Sequence, residues 1–371
     1  MGKSVIRLLL NAEPFGFGPT AAVAAIFPHI KGEIEEISYI GSGHTLDLQR
    51  SLPYKKLYDQ NQLDEAGLQE VLQQHDVLLT ASDFGLAQAA RKAGLKLGIY
   101  DPLAWYWKEF PAIAREADLY IAQDFYGVAE RVRAEFNNQA NWRIVPPIVN
   151  TVAAEAHRQH GILLNLGGLQ NPHWPLGEAV DYARTMIAAV RRVLPANETL
   201  TIATSQAIAA QLSDPQVKTC SVEEMRHLRH TCRIALMTPG LGNIFDAAAE
   251  QVATIWLPPA NDSQGQQADI LLKHQPDTSR IDWKDINPGW EINYRDSQPE
   301  VLRKIGLASA CLAQDADLGK VLSSAIAGRL TKPVPNPGCI INEFGAGGAQ
   351  KAAEAIKVFC RTQQKGLVCH A

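Results

Sequence analysis

The chain has 371 residues, of which 46% are hydrophobic and 20% charged, and its formal net charge is -4. This length predicts two globular domains, and the composition excludes a disordered or fibrous protein. The slightly acidic charge offers no basic surface to a nucleic-acid polymer, and the six cysteines have no CxxC spacing, so we expect neither a zinc site nor a disulfide framework.

The apolar run near the N-terminus, at residues 5–10, is too short for a signal peptide or a membrane span. It is typical of a first buried strand, and we therefore expect a cytoplasmic protein without a membrane partner. Cys369 and His370 could form an accidental metal-binding pair, but a frayed C-terminal tail is the simpler interpretation.

Short apolar runs alternate with helical patterns through the first half, which indicates βαβ units and a parallel sheet. Strands are predicted over 5–12, 37–43, 76–81, 96–101, 118–123 and 142–149. Helices are predicted over 20–30 and 83–94, the second ending at the C-cap glycine Gly94.

The pattern restarts after Pro146 and Pro147, which with the following polar stretch predict an interdomain linker. Strands are expected over 162–168, 199–205, 234–240 and 253–259, and helices over 179–194 and 244–252. The sequence thus predicts an α/β protein of two doubly wound domains, 1–155 and 156–345. A helix in 346–371 could pack back on the first domain, and Ile281–Asp296, which lacks periodicity, is expected to form a surface loop or lid.

Ligands of such sheets bind at the carboxyl ends of strands, and two facing domains would form a cleft with two half-sites. A turn containing Phe15, Gly16, Phe17 and Gly18 follows the first strand, but its spacing is not GxGxxG, so a dinucleotide site is poorly supported. Glu13 at this strand end is a candidate general base, or else a turn-capping acid, and His44 after the second strand is a rival base.

Asp101 ends the predicted strand 96–101 and is followed by Trp105, Tyr106 and Trp107. A buried carboxylate beside aromatic rings would bind a planar base, which makes Asp101 a further candidate for catalysis and recognition. An aromatic core cluster with a capping aspartate would explain the same residues.

Two Gly-rich turns occur in the second half. Gly167 and Gly168 could hold a phosphate or a sugar hydroxyl, or form only a tight turn. The second turn leads from a strand into a helix, and its free backbone N–H groups would suit a diphosphate; it contains Thr238, Gly240, Leu241, Gly242 and Asn243. One strand later, Asn261, Asp262 and Gln264 are side chains of the kind that bind sugar hydroxyls.

The Gly-rich turn is followed by a helix that carries Asp246, by a strand that ends at Pro258, and then by Asp262 and Gln264. This order resembles the donor-binding motif of the GT-B glycosyltransferases. The resemblance implies two Rossmann-like domains, an acceptor-binding one and a donor-binding one. It also implies that the donor diphosphate lies at 240–243 and the sugar at Asp262 and Gln264. Pro239 stands where the motif commonly has a phosphate-binding histidine, so binding would depend on backbone amides and Thr238.

The fragments FGFGP, YIGSGHTLDL, IYDPLAWYW and TPGLGNIFDAAA are similar to those of the cytosylglucuronate synthases of nucleoside-antibiotic pathways. That resemblance implies transfer of glucuronate from UDP-glucuronate to cytosine. Phe15, Gly16, Phe17, Gly18, Trp105 and Trp107 would then bind the acceptor.

We therefore expect an inverting glycosyltransferase without a cofactor, with Glu13, Asp101 and His44 as base candidates in that order. The lack of a DxD motif in a strand-end turn predicts metal independence. The expected partners are a nucleotide sugar and a small acceptor, and the protein could also form a homodimer. The alternatives are transfer from another nucleotide sugar, a nucleotide-sugar epimerase or hydrolase, and a non-catalytic two-lobed binding protein.

Overall fold

The computed structural model describes residues 5–137, 139–149 and 161–368, and the chain divides into two compact units. The first unit combines Met1–Val149 with Phe344–Ala371, and the second is Asn150–Glu343. Each unit contains one parallel sheet with helices between its strands, which confirms the predicted α/β class with two Rossmann-like domains. Cys369 and His370 lie outside the described residues.

The first sheet has seven parallel strands in the order β3-β2-β1-β4-β5-β6-β7. They are β1 Arg7–Ala12, β2 Glu36–Gly41, β3 Leu57–Asp59, β4 Val77–Ala81, β5 Lys96–Asp101, β6 Leu119–Gln123 and β7 Trp142–Val145. All five residues of β4 are buried, as expected for a strand covered by helices on both faces. The chain adds β2 and β3 on one side of β1 and then β4 on the other, so the strand order reverses between β1 and β4.

Six helices follow these strands in turn: α1 Gly18–Ile30, α2 Gly43–Gln49, α3 Glu65–Gln73, α4 Phe84–Lys92, α5 Ala112–Arg115 and α6 Val128–Glu135. The predicted end of α4 is confirmed, because Gly94 follows it in the left-handed conformation with φ +87°. The short edge strand β3 was not expected, since its three residues carry no apolar pattern.

The second sheet has five parallel strands in the order β10-β9-β8-β11-β12, so its strand order reverses between β8 and β11. The strands are β8 Ile162–Asn165, β9 Leu200–Ala203, β10 Val217–Lys218, β11 Ile234–Met237 and β12 Thr254–Trp256. The four strands expected here all end earlier than predicted, because the Gly, Thr, Ser and Pro residues that follow them leave the sheet.

The helices of the second unit and the chain beyond it are α7 Leu176–Val193, α8 Gln206–Leu212, α9 Val222–Thr231, α10 Leu241–Ala249, α11 Asp262–His274, α12 Trp283–Ile286, α13 Gln298–Gln314, α14 Ala316–Leu330, α15 Cys339–Phe344 and α16 Gly348–Val368. Within the first unit, α16 packs on α1, and its residues Ala352, Ala353 and Ile356 are fully buried in the same apolar cluster as Phe27 and Ile30. None of the helices in the described part of the chain is both long and apolar enough to cross a membrane.

The prediction that Ile281–Asp296 forms a surface loop or lid is only partly right, because the segment is largely irregular but several of its apolar side chains are buried. Ile281 and Trp283 are fully buried, and Ile286 is 3% exposed. The apolar side chains are irregularly spaced, which hides them from a search for periodicity, yet they fill the core of the second unit beside α7 and α13.

Candidate functional site

Two carboxyl groups flank the point in the first sheet where the strand order reverses. The amide of Glu13, directly after β1, donates to the carbonyl of Ala81 at the end of β4 (2.9 Å). Asp83, two residues after β4, caps α4 and accepts from the amide of Leu86 (2.8 Å). Burial, with a smaller contribution from the charge of Asp83, raises the pKa of Glu13 to about 7. A carboxyl group that titrates near neutral pH is suited to general base catalysis.

A ladder of buried polar groups fixes the strand ends beneath these carboxyl groups. Asn11 of β1 is fully buried; its Nδ2 donates to the carbonyl of Ile40 in β2 (3.1 Å), and its Oδ1 accepts from Thr80 Oγ1 in β4 (2.6 Å). Thr80 Oγ1 in turn accepts from the amide of Asp83 (3.2 Å). Between β4 and α4, Ser82 adopts φ +62°, an unusual conformation for a side chain with a Cβ.

His44 lies in the first turn of α2 and is brought to the turn that follows β1. Its Nε2 is 2.6 Å from the carbonyl oxygen of Gly16, and its ring contacts Phe17 edge to face at 5.6 Å. A carbonyl oxygen can only accept a hydrogen bond, so Nε2 of His44 must carry the hydrogen. This nitrogen therefore cannot take a proton from the molecule that receives the sugar. The structure therefore joins His44, Gly16 and Phe17, with Gly18 beginning α1 beside them.

Asp101 is fully buried at the end of β5, and both its carboxylate oxygens are engaged inside the first unit. One accepts from the amide of Leu103 (2.7 Å); the other accepts from Trp107 Nε1 (2.8 Å) and from the hydroxyl of Tyr120 (2.7 Å). Burial raises the pKa of Asp101, whereas these three hydrogen bonds lower it. The geometry favours a carboxylate that orients Trp107 and fixes the turn after β5.

The aromatic residues after β5 form a cluster at the carboxyl edge of the first sheet. Trp107 contacts Phe84 edge to face at 5.3 Å, and Trp105 contacts Phe125 at 5.8 Å. Trp105 is 7% exposed, and its Nε1 has no hydrogen-bond partner among the described residues. The two tryptophans expected to bind the acceptor are joined through Tyr106, whose ring contacts both, at the same edge of the sheet as the ends of β1 and β4.

The two Gly-rich turns of the second unit meet where its strand order reverses. Asn165 Nδ2, at the end of β8, donates to Asn243 Oδ1 in α10 (3.0 Å), and Asn243 Nδ2 donates to the carbonyl of Thr238 after β11 (2.9 Å). Asn165 Oδ1 accepts from the amide of Gly167 (2.9 Å). Gly167 has φ +67°, and a Cβ on it would lie only 3.3 Å from Oγ1 of Thr238. Gly168 continues the same turn.

Helix α10 begins three residues earlier than predicted, at Leu241, so that Gly242 and Asn243 belong to its first turn. Gly240 is its N-cap; no side chain caps the helix, and no acidic residue lies in its first turn. Amide N–H groups at an uncapped helix start need an acceptor, and the helix dipole favours an anion there.

The predicted sugar-binding residues begin α11. Asn261 caps this helix, and its Oδ1 accepts from the amide of Gln264 (2.8 Å) and from Ser263 Oγ (2.9 Å). Gln264 Oε1 accepts from the amide of Ala260 (2.9 Å), while its Nε2 points to the start of α10, where a Cβ on Gly240 would lie 3.9 Å away. The side chain of Gln264 thus lies close to both helix starts, and Asp262 is buried beside it with 1% exposure.

Sequence reasoning missed Asp83, Asn11 and Thr80. Asp83 carried a usable signal, because it lies two residues after a predicted strand, close to a strand end as Glu13 is. In the described ranges, no group of three or more His, Cys, Asp or Glu side chains is placed to hold a metal ion.

No protein-family model matches the chain, and no curated protein matches it. Among solved structures, the chain is similar to Arabidopsis thaliana UGT89C1 complexed with UDP, with 12% identity, coverage of 95% of this chain and 99% of that one, and a TM-score of 0.53. The same enzyme complexed with UDP-L-rhamnose matches with 11% identity, 97% and 100% coverage, and a TM-score of 0.53. Acinetobacter baumannii MurG matches with 14% identity, 91% and 99% coverage, and a TM-score of 0.46. At these identities the likeness to UGT89C1 shows the fold, which is the predicted GT-B fold.

Proposed function

We propose that the protein is a glycosyltransferase that takes a nucleotide sugar in its second unit and a nucleophilic acceptor in its first. The observation that carries this proposal is the uncapped start of α10, with the amide of Gln264 directed to it. An uncapped helix start suits a diphosphate, and a neighbouring amide group suits a sugar hydroxyl. The names of the solved UGT89C1 complexes give that protein UDP and UDP-L-rhamnose as ligands, which supports the same class of donor here.

In the proposed reaction, the acceptor attacks the anomeric carbon and the bond from that carbon to the diphosphate oxygen breaks. Glu13 takes the proton that the acceptor loses, and the negative charge on the departing diphosphate is stabilised by the amides of α10. A single displacement of this kind inverts the anomeric configuration. The protein contributes helix-end amides to the leaving group, so the proposal requires no metal ion.

We further propose UDP-glucuronate as the donor and a small planar base such as cytosine as the acceptor. The support for the acceptor is the aromatic cluster of Trp105 and Trp107 at the same sheet edge as Glu13. The support for the donor is the resemblance of the sequence fragments described above.

The test measures UDP release by the full-length protein from UDP-glucuronate and UDP-glucose, with and without cytosine, and identifies the products by mass spectrometry. We expect UDP release that depends on the acceptor, and a glycosylated base as the product. Equal UDP release without an acceptor would instead indicate a hydrolase. Tight binding without any turnover across a panel of acceptors would indicate a binding protein.

A further inference from the structure

The loop that carries the proposed sugar-binding residues has an unusual backbone. It leaves β12 through Pro258 and Pro259, and proline has no N–H group, so the backbone of these two residues can hydrogen-bond only through its carbonyl oxygens. Both carbonyls accept hydrogen bonds from buried aromatic side chains. The hydroxyl of Tyr182 in α7 donates to Pro258 O (2.6 Å), and Trp283 Nε1 in α12 donates to Pro259 O (2.9 Å).

A third aromatic residue holds the other side of the loop. The ring of Tyr294 lies against Gly265 of α11, where a Cβ would come within 2.1 Å of its carbons. The Tyr294 hydroxyl donates to Asp282 Oδ1 (2.9 Å), and its carbonyl accepts from Gln266 Nε2 (2.8 Å). A side chain at position 265 would therefore displace the ring.

These three aromatic residues enclose Gln264 from both directions along the chain. Tyr182 and Trp283 are fully buried and contact each other, with ring centroids 6.0 Å apart. They fix the prolines before Gln264, and Tyr294 fixes the glycine after it. Gln264 itself is held by Ala260 N on its Oε1, which leaves its Nε2 on the side of α10.

We propose that Tyr182, Trp283 and Tyr294 form a brace whose role is to position Gln264 for the sugar of the donor. The three are positioning residues, since they act through the loop and do not touch the ligand. This inference depends on the proposed function, because it takes Gln264 as a sugar ligand. It assigns a function to residues 281–296, which hold two of the three aromatic side chains.

The test compares Trp283→Phe and Tyr182→Phe with Trp290→Phe, a matched control in the same segment as Trp283 that is only half buried. Tyr182→Phe loses one hydrogen bond to the loop and keeps its ring, whereas Trp283→Phe loses its hydrogen bond together with the smaller ring of the indole, a change of ring size that Trp290→Phe reproduces. For both brace variants we expect KM for the nucleotide sugar to rise about fivefold. The Kd of UDP, which lacks the sugar, should stay within about twofold in all three variants.

A double-mutant cycle with Gln264→Ala separates positioning from general loss of packing. If Trp283 acts through Gln264, Trp283→Phe adds less than about twofold to KM once Gln264 is alanine. A full additive effect in that background, or an equal weakening of UDP and nucleotide-sugar binding, would overturn the proposal.

Hydrogen exchange measured without any ligand tests the brace independently of the proposed function. The amides of Ala260 and Gln264 should exchange faster in Trp283→Phe than in the wild type and in Trp290→Phe. If the wild type binds no nucleotide sugar, the proposed function fails, and unchanged exchange at these two amides independently overturns the brace.

Discussion

Glu13 is a carboxyl group whose protonation state changes close to neutral pH, because burial and the neighbouring Asp83 make its ionised form costly. The proposed base must be ionised to accept a proton, and the burial that raises the pKa of Glu13 also makes its ionised form destabilising at high pH. Burial raises the pKa of Asp101 as well, but three hydrogen bonds support its carboxylate and offset part of that rise. The two acids that sequence reasoning ranked first and second are thus placed in different surroundings.

The pH dependence of catalysis tests Glu13 as the base. We expect kcat/KM of the wild type to rise about tenfold per pH unit below neutrality and to level off above a pKa of about 7. Glu13→Gln should remove this limb and lower kcat/KM by about 10²- to 10⁴-fold. A limb that persists at the same pH in Glu13→Gln would assign the proton transfer to another group.

The raised pKa of Glu13 also predicts how the stability of the folded protein depends on pH. Protonated Glu13 contributes stability that is fully present below the ordinary value of 4.5 and is lost as the pH rises through about 7. The neutral Glu13→Gln variant should therefore melt above the wild type at alkaline pH, and the difference should close in acid. Asp101→Asn is the control, and it should melt lower, because an amide replaces a carboxylate that accepts three hydrogen bonds.

At the scale of elements, the start of α10 combines an uncapped helix with an absence of acidic residues in its first turn. A capping side chain or an aspartate would stabilise the helix, by about 0.5 to 1 kcal/mol. A capping side chain would also occupy the site of the anion that we place there, and an aspartate would repel that anion. The start of α10 is therefore less stable than a capped helix start, and in the proposed function this leaves its amides available to the diphosphate.

Gly242 offers a direct test, because it is exposed in this first turn and a Cβ there would meet nothing within 4 Å. Gly242→Asp should raise the melting temperature, through better helix propensity and the dipole, and weaken UDP binding by about tenfold through charge repulsion. Gly242→Ala is the matched control, which gains propensity without charge and should keep its UDP affinity. Unchanged affinity in the aspartate variant would move the diphosphate away from α10.

The elements that could be predicted from the sequence are those whose signal is local. Central parallel strands such as β4 and β8 are continuous apolar runs, and Gly-rich turns mark where β1, β8 and β11 end. The brace could not be predicted, because Tyr182 meets Pro258 across 76 positions of the chain and only the packed core brings them together. For the same reason, the burial of Trp283 was missed in a segment without periodicity.

At the scale of the whole molecule, the two units are built differently along the chain. The second is one continuous segment, whereas the first is assembled from both ends of the chain, with α16 closing on α1. Each unit nevertheless has candidate residues at the point where its own strand order reverses, with Glu13 after β1 in the first unit and Thr238 after β11 in the second. Ligand classes should therefore be separable by unit in the intact protein.

Hydrogen exchange of the full chain, measured with one ligand at a time, tests whether the donor binds the second unit and the acceptor binds the first. UDP at about 100 times its Kd stabilises its binding state by about 2.7 kcal/mol, and the slowed amides should lie at the start of α10, residues 241–243. Cytosine should instead slow exchange in the turn at 13–18 of the first unit. Because the α10 amides would become hydrogen-bond donors to the diphosphate, their protection should be lost when uridine, which lacks phosphate, replaces UDP. Protection by UDP confined to the first unit would reverse the assignment of donor and acceptor.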